Sequence, residues 1–230
     1  MPTKRATPVS LPRILEPEPA SPAHEANHYY SINLEQTNHR FVNELISGGP
    51  VGPRVIDLGC GPCGIAIELC TQKNDLEVLA IDLEVAMLEI AKREIDIAGL
   101  LEEITLHHAD ASVMEDYESE TVDTIISNSL FHHLAEPESC LAAAHRLVKP
   151  NGRVFIRDLF RPESESEIES LLKIHVDGES DATKQLFRQS FLAALTLDEI
   201  REISGGFGIP AEHVQMTSDR HWTIDWRKPA

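Results

Sequence analysis

The chain has 230 residues, of which 42% are hydrophobic and 25% charged, which suits one α/β domain with appendages better than two full domains. Its 38 acids against 20 Lys and Arg give a net charge of −18 at pH 7, and such a surface repels a phosphate backbone, so we do not expect a nucleic-acid substrate. No apolar run is long enough for a membrane span, no signal-peptide core is evident, and the four cysteines suggest no disulfide framework, so we expect a cytoplasmic protein.

Two segments precede the first strand. Residues 1–28 are rich in proline, which breaks regular structure, and we predict a flexible tail there, with Leu11, Ile14 and Leu15 able to pin part of it to the domain. From Ser31 onward, apolar residues at helical spacing predict a helix that ends before Pro50. The main domain is therefore expected to occupy residues 29–230.

A short apolar strand at residues 55–58 runs into a glycine loop and then into a helical pattern. Gly59, Gly61 and Gly64 satisfy the dinucleotide fingerprint G-x-G-x-x-G, and Asp82 follows at about the expected distance. A second interpretation is a redox dithiol, since Cys60 begins a C-x-x-C sequence. A third is S-adenosylmethionine binding, and a tight turn without ligand remains a fourth.

Asp57 favours the third interpretation. It lies two residues before the first glycine, at the carboxyl end of the strand, where ligands of open α/β sheets bind. A carboxylate there would repel a pyrophosphate. It would attract the sulfonium and ammonium groups of S-adenosylmethionine, most strongly in a partly dry cleft.

Strand and helix patterns alternate through the rest of the chain. Helical stretches around 168–176 and 184–195 form an insertion at about 160–195, and the capping box of Thr196 and Glu199 begins the last helix. A closing hairpin would complete a seven-stranded sheet with one reversed strand. The predicted strands after the first are 77–81, 104–108, 122–127, 153–158, 211–217 and 221–226.

The ordered series Asp57-x-Gly59-x-Gly61, Asp82, Asp110, Asn128 and the turn at 149–152 resembles class I S-adenosylmethionine-dependent methyltransferases. Over about residues 29–226 the pattern is most similar to small-molecule enzymes of ubiquinone and menaquinone biosynthesis. The resemblance implies a Rossmann-like α/β fold, with a seven-stranded, mostly parallel sheet, helices on both faces and a reversed final strand. It also implies a substrate cover at about 160–195 and a small-molecule substrate.

S-adenosylmethionine is the cofactor that the resemblance implies. In the family, an acid at Asp82 holds the ribose, an acid at Asp110 accepts from the adenine amino group, and Asn128 contacts the methionine part. An aromatic residue, Tyr29 or Tyr30, would close over the ligand. The full set of expected cofactor-binding residues is Tyr30, Asp57, Gly59, Cys60, Gly61, Asp82, Leu83, Asp110, Ala111 and Asn128.

His132 and His133 follow the fourth predicted strand, where the family faces its substrate. An imidazole titrates near neutrality and can take a proton from a hydroxyl or amine, so either histidine is a candidate base, and Asp158 could orient it or bind a cation. Capping or packing by the histidines, and a salt bridge from Asp158 to Arg157 or Arg161, are the alternatives. We expect no metal site. An NAD(P)-dependent oxidoreductase and a non-catalytic S-adenosylmethionine-binding protein remain the alternative functions.

Overall fold

A central β-sheet forms the middle layer of the protein. A computed structural model describes residues 11–17, 21, 26, 30 and 34–230, and the elements below lie within them. The strands are β1 (Arg54–Leu58), β2 (Glu77–Asp82), β3 (Ile104–His108), β4 (Val122–Asn128), β5 (Val148–Leu159), β6 (Val214–Met216) and β7 (His221–Arg227). Their order is β3-β2-β1-β4-β5-β7-β6. Neighbours from β3 to β5 pair in parallel, whereas β7 runs antiparallel to β5 and β6. The predicted fold, including the reversed final strand, is confirmed.

Helices cover both faces of the sheet. The described residues form α1 (Glu35–Ser47), α2 (Gly64–Gln72), α3 (Val85–Ala98), α4 (Pro137–Leu147), α5 (Glu165–His175), α6 (Asp181–Ala193) and α7 (Leu197–Gly205), with short 3₁₀ turns at Phe131–His133 and Ala211–His213. The predicted capping box at Thr196 is present at the start of α7. Ser31, where the first helix was predicted to begin, lies outside the described residues. No helix in the described part of the chain is long and apolar enough to cross a membrane.

Alternation along the strands assigns side chains to the two faces, as the two-residue period of a strand requires. Ile56 and Leu58 of β1 are buried in a cluster with α4 and α7. Val55 of the same strand is buried in a second cluster with α1, α2 and α3. Because both faces are covered, most buried strand residues are apolar. Arg153 in β5 is the largest exception, and it is paired with Asp225 of β7.

Residues 149–152 differ from the predicted turn. They lie within β5, which begins at Val148 instead of Arg153, and the register with β4 shifts between Val122 and Thr124 to accommodate them. Asn151 has a φ of 64° and donates its backbone N–H to the Lys228 carbonyl at 2.8 Å. Asn151 therefore keeps the left-handed backbone of a turn residue. The segment is nevertheless hydrogen-bonded to the C-terminal end of the chain and continues the strand.

The helical insertion and the first described segment share a third cluster. Leu159, Ile168 and Phe191 are among its buried members, and Leu11 packs against it. The backbone N–H of Ile14 also donates to Leu192 O at 3.0 Å. Residues 11–17 therefore lie on the insertion.

Candidate active site

The carboxyl ends of β1, β2, β4 and β5 meet at one edge of the sheet. Because these strands are parallel and adjacent, this edge gathers Asp57, Asp82, Asn128 and Asp158, which together span about a hundred residues of the chain. A crevice outside the carboxyl ends of the strands is where open α/β sheets bind ligands. The fold is α/β, and these polar side chains make this edge the candidate ligand site.

The glycine loop is fastened to β2. The backbone N–H groups of Gly59 and Cys60 both donate to Ile81 O at 2.9 Å. Gly59 and Gly61 have φ values of 69° and 52°, which side-chain-bearing residues rarely adopt. A Cβ added to Gly61 would meet no described atom within 4 Å, so a ligand can approach this backbone closely.

Asp82 is held in a fixed orientation by the same loop. Its carboxylate accepts the Gly61 N–H at 2.7 Å and the Glu84 N–H at 2.8 Å, one on each oxygen. Burial raises the pKa of Asp82, and the two N–H groups and the charge of His133 oppose that rise. A carboxylate fixed at the end of the second strand is positioned to accept from ribose hydroxyls, as in dinucleotide-binding α/β folds.

Asp57 is the exceptional acid of the edge. Its side chain is 2% exposed, and Oδ2 has no hydrogen-bond partner among the described residues. Burial, with the nearby charge of Asp82, raises the pKa of Asp57 to about 7. An unpartnered buried carboxylate oxygen is costly unless a ligand satisfies it. A cationic ligand group such as an ammonium fits this acceptor, and an anionic pyrophosphate does not.

The C-x-x-C sequence lacks the environment of a redox dithiol. Cys60 and Cys63 are both buried and free, and Cys63 has a left-handed φ of 62° where the loop enters α2. The hydrogen bond with Cys63, and burial, raise the pKa of the Cys60 thiol well above its ordinary value. Reactive thiols need the opposite shift. The Cys63 backbone N–H donates to Cys60 O at 2.9 Å, so the two cysteines close a turn within the loop.

The other predicted cofactor residues lie around this edge with different exposures. Asp110 follows β3 and uses Oδ1 to accept the Ser112 N–H at 2.7 Å, next to the buried Ala111. Leu83 is 57% exposed. Asn128 donates from Nδ2 to Ser129 Oγ at 3.2 Å.

Tyr30, the predicted lid residue, is exposed and lies beside α3. The Arg93 guanidinium lies 5.2 Å from the centroid of its ring. Tyr29, the other aromatic residue considered for this role, is outside the described residues. The lid role of Tyr30 and the ligand contacts of the other residues stay predictions.

His132 and Asp158 form a buried pair. The 3₁₀ turn Phe131–His133 carries the imidazole to the end of β5, and Nδ1 lies 2.6 Å from Asp158 Oδ1. Asp158 also accepts the backbone N–H groups of Phe131 at 2.5 Å and Leu159 at 2.6 Å. Burial alone would raise the pKa of Asp158, but the charge and hydrogen bond of His132 outweigh it and hold the pKa below its ordinary value.

The alternative salt bridges of Asp158 do not form. Arg157 pairs with Glu44 at 2.8 Å, and Arg161 pairs with Glu199 at 2.5 Å. Because Nδ1 of His132 is bound to Asp158, the tautomer with a lone pair on Nε2 is favoured. The pair can therefore present a base or a ligand atom at the edge that carries Asp57 and Asp82.

Glu16 and Arg13 are site residues that the sequence interpretation missed. Glu16 Oε2 lies 2.8 Å from His133 Nδ1, and Glu16 Oε1 accepts from Ser190 Oγ at 2.5 Å. Burial would raise the pKa of Glu16, but the hydrogen bond and charge of His133 lower it to about 2.

Arg13 lies in the same segment as Glu16, residues 11–17, and attaches that segment to the domain. Its Nε donates to Ala193 O at 2.7 Å, and one terminal nitrogen donates to Leu134 O at 2.8 Å and Phe131 O at 3.3 Å. It thus joins α6 to the turn that carries the histidines. The only sequence signal for these contacts is a pair of charges three residues apart within a proline-rich segment, because the partners lie more than a hundred residues away.

A groove of about 720 Å³ lies elsewhere, along α1 and α2. It is lined by polar side chains that include Glu35, His39, Glu44 and Glu68, and none of the predicted site residues lines it. His39 is 60% exposed and pairs with Glu68 at 2.7 Å. We therefore place the functional site at the strand ends, where the buried polar groups converge, and treat this groove as solvated surface.

Comparisons with known proteins identify the family of the chain. Residues 56–156 match a methyltransferase domain family. The chain is 30% identical over 199 residues to the ubiquinone biosynthesis O-methyltransferase of Stutzerimonas stutzeri (strain A1501), covering 83% of this chain and 82% of that protein. It is 28% identical over 200 residues to the enzyme of that name from Photobacterium profundum, covering 82% and 80%.

A solved structure shows the same fold. The crystal structure of an S-adenosylmethionine-dependent methyltransferase from Aquifex aeolicus matches with a TM-score of 0.67 and 18% identity, covering 89% of this chain and 97% of that one. The chain belongs to the class I S-adenosylmethionine-dependent methyltransferases.

Proposed function

We propose that this protein transfers a methyl group from S-adenosylmethionine to a hydroxyl group of a small molecule, with His132 as the group that takes the proton. The observation that carries the proposal is the buried contact of 2.6 Å between His132 Nδ1 and Asp158 Oδ1 at the edge that also holds Asp57 and Asp82. A carboxylate behind an imidazole orients the ring and stabilises its protonated form. A positioned base of this kind contributes about 10²- to 10⁴-fold in rate.

On the donor side, the chain supplies acceptors and an approachable backbone. Asp82, fixed by two N–H groups, would hold the ribose, and Gly61 would allow close approach. The unpartnered oxygen of Asp57 would accept from the ammonium group. When bound, S-adenosylmethionine supplies a methyl group already activated by its sulfonium. The remaining task of the protein is alignment, which is worth up to roughly 7 to 11 kcal/mol in favourable cases.

On the acceptor side, the charge of the chain and the names of its relatives support a small hydroxylated molecule. The net charge of −18 disfavours nucleic acid, and the two relatives above are named O-methyltransferases. We also infer the cytoplasm as its compartment, since all four cysteines are free and buried.

The first test is a thermal-shift assay with S-adenosylmethionine, S-adenosylhomocysteine and NAD in parallel. Ligand at 100 times its dissociation constant adds about 2.7 kcal/mol, which for a chain of this size raises Tm by roughly 5 to 10 °C. We expect the rise with the first two ligands and none with NAD. Asp82→Ala should abolish the rise, whereas Asp116→Asn, in an exposed acidic loop, should retain it. A rise with NAD alone would replace the proposal with the oxidoreductase alternative.

A second assay separates a catalyst from a binding protein. S-adenosylhomocysteine formation is measured across a panel of small phenols and catechols, and the substrate found is then given to His132→Gln and Asp158→Asn. Both variants should keep the thermal shift with S-adenosylmethionine and lose turnover by about 10²-fold or more. Full turnover in His132→Gln would remove the base from the mechanism.

A further inference from the structure

Two histidines and one carboxylate converge beside the proposed acceptor position. Glu16, His132 and His133 each offer one ligand atom, and the three atoms lie within 4.8 Å of one another. The imidazole rings have centroids 4.0 Å apart, and His133 Nδ1 lies 2.8 Å from Glu16 Oε2. We propose that these three side chains form a binding site for one divalent transition-metal cation, with zinc as the type, whose open coordination position takes the oxygen of the acceptor.

The donor set is that of a catalytic zinc site. Two imidazoles and one carboxylate with a fourth position left open are a recurrent catalytic arrangement, with bonds of about 2.0 to 2.2 Å. Small side-chain rotations bring three atoms from within 4.8 Å onto one ion. Between Glu16 and His133 the cation replaces the shared proton, because the two atoms already face each other at 2.8 Å.

Each buried ligand already has the outer partner that metal ligands need. His132 uses Nδ1 for Asp158 at 2.6 Å, which directs Nε2 to the cation, and a carboxylate behind a ligating histidine is the usual arrangement. Glu16 keeps its second oxygen on Ser190 Oγ at 2.5 Å. The three ligands differ in exposure: the His132 side chain is 4% exposed, that of Glu16 17% and that of His133 47%. The open position therefore faces outward, beside His133.

This site deepens the proposed function and rests on it for the identity of the outer ligand. The contact of His132 with Asp158, at the carboxyl end of β5, places the cluster at the edge of the sheet that carries the donor carboxylates. With the cation bound, His132 would hold the metal, and the proton-accepting role proposed for it above would apply only to the metal-free protein. The cation would then stabilise the deprotonated acceptor oxygen, as metal ions do for bound water, and the proton would pass to solvent water.

The test uses Co²⁺ as a spectroscopic substitute for zinc. The full chain is treated with a chelator and dialysed, then titrated with Co²⁺ while the visible d–d absorption is recorded, and the stoichiometry is measured with Zn²⁺ by calorimetry. We expect one ion per chain with the intense absorption of four- or five-coordinate Co²⁺. Glu16→Gln and His133→Gln should each weaken binding by at least 10- to 100-fold, the range seen for losing even an outer partner.

His39→Gln is the matched control. His39 forms a surface pair with Glu68 at the same kind of distance, 2.7 Å, and no third metal ligand joins that pair among the described residues. Its substitution should leave Co²⁺ binding unchanged. Circular dichroism and thermal melts establish that Glu16→Gln is folded, and His133→Gln, at an exposed position, provides a second ligand variant.

Three results would overturn the site. They are the absence of Co²⁺ absorption in the chelator-treated wild-type chain, wild-type affinity in Glu16→Gln, and equal losses in Glu16→Gln and His39→Gln. Each would leave the Glu16–His133 contact as an ion pair only. The S-adenosylmethionine thermal shift, recorded on the metal-free protein, fails or succeeds separately. Co²⁺ binding without that shift supports the cation site and refutes the proposed function.

Discussion

Replacing Asp57 by asparagine should stabilise the ligand-free protein and weaken donor binding. The carboxyl group is buried, and its pKa is about 7 against an ordinary value of 3.8. The folded state therefore binds the proton more tightly than the unfolded state does. Stability from this group is fully present below about pH 4, falls as pH rises, and is lost above about pH 7.

The size of the effect follows from that difference. Moving from 3.8 to about 7 corresponds to roughly 4 kcal/mol between the two ends of the pH range. The substituted amide carries no charge at any pH, so we expect Asp57→Asn to match the wild type near pH 4 and to exceed it by up to about 4 kcal/mol at pH 8. Loss of a charged hydrogen-bond partner, worth about 1.5 to 3 kcal/mol, should weaken S-adenosylmethionine binding by roughly 10- to 100-fold.

Urea denaturation at several pH values measures the first effect, and calorimetric titration measures the second. Asp123→Asn is the matched control, because Asp123 accepts the Lys149 ammonium at 2.9 Å and the Arg54 backbone N–H at 3.1 Å. That change should lower stability at pH 8. If Asp57→Asn also lowered stability at pH 8, the native carboxylate would have a favourable partner and the reasoning would be refuted.

Two further predictions concern the backbone of the loop and the first described segment. Gly61→Ala should cost about 1 to 2 kcal/mol of unfolding free energy, the left-handed penalty alone, and Gly59→Ala more, because its Cβ would lie 2.8 Å from Leu130 Cδ1; equal losses in urea denaturation would contradict this. Arg13→Ala should lower the unfolding free energy by about 2 kcal/mol through its lost hydrogen bonds to Ala193 and Leu134. An unchanged denaturation midpoint would show that the Arg13 hydrogen bonds contribute nothing to stability.

The sheet and the donor side could be predicted because their signals are local. Each strand is a short apolar run with a polar residue at its end, and parallel pairing brings those ends together whatever the length of the helices between them. Gly59 and Gly61 have positive φ values, and because glycine adopts such a backbone most readily, their presence in the sequence is itself the signal. The resemblance to the methyltransferases added the expected roles of Asp82 and Asp110, which stay predictions and which spacing alone would have left shared with dinucleotide-binding proteins.

The acceptor side of the site was harder to predict from the sequence because its contacts join residues that are far apart in the chain. His132 and Asp158 could be named as separate candidates, but the choice between their contact and the salt bridges to Arg157 or Arg161 depends on how the 3₁₀ turn packs against β5. The contact of Glu16 was harder still to predict. It meets His133 across more than a hundred residues, through a segment whose composition predicts no element. The apolar Ile14 and Leu15, named as anchors, are 54% and 45% exposed.

The two buried acids at this edge of the sheet, Asp57 and Asp158, lie in different environments. Asp158 accepts from two backbone N–H groups and faces His132, so its charge is paired in the folded state and its pKa is low. Asp57 has an oxygen without a partner in the described part of the chain, and its pKa is raised to about 7. Environments that separate the pKa values of neighbouring acids assign them different roles. Asp158 is already complete and serves the imidazole at the acceptor side. A cationic group from outside would complete Asp57, and under the proposed function the ammonium of the sulfonium donor would be that group.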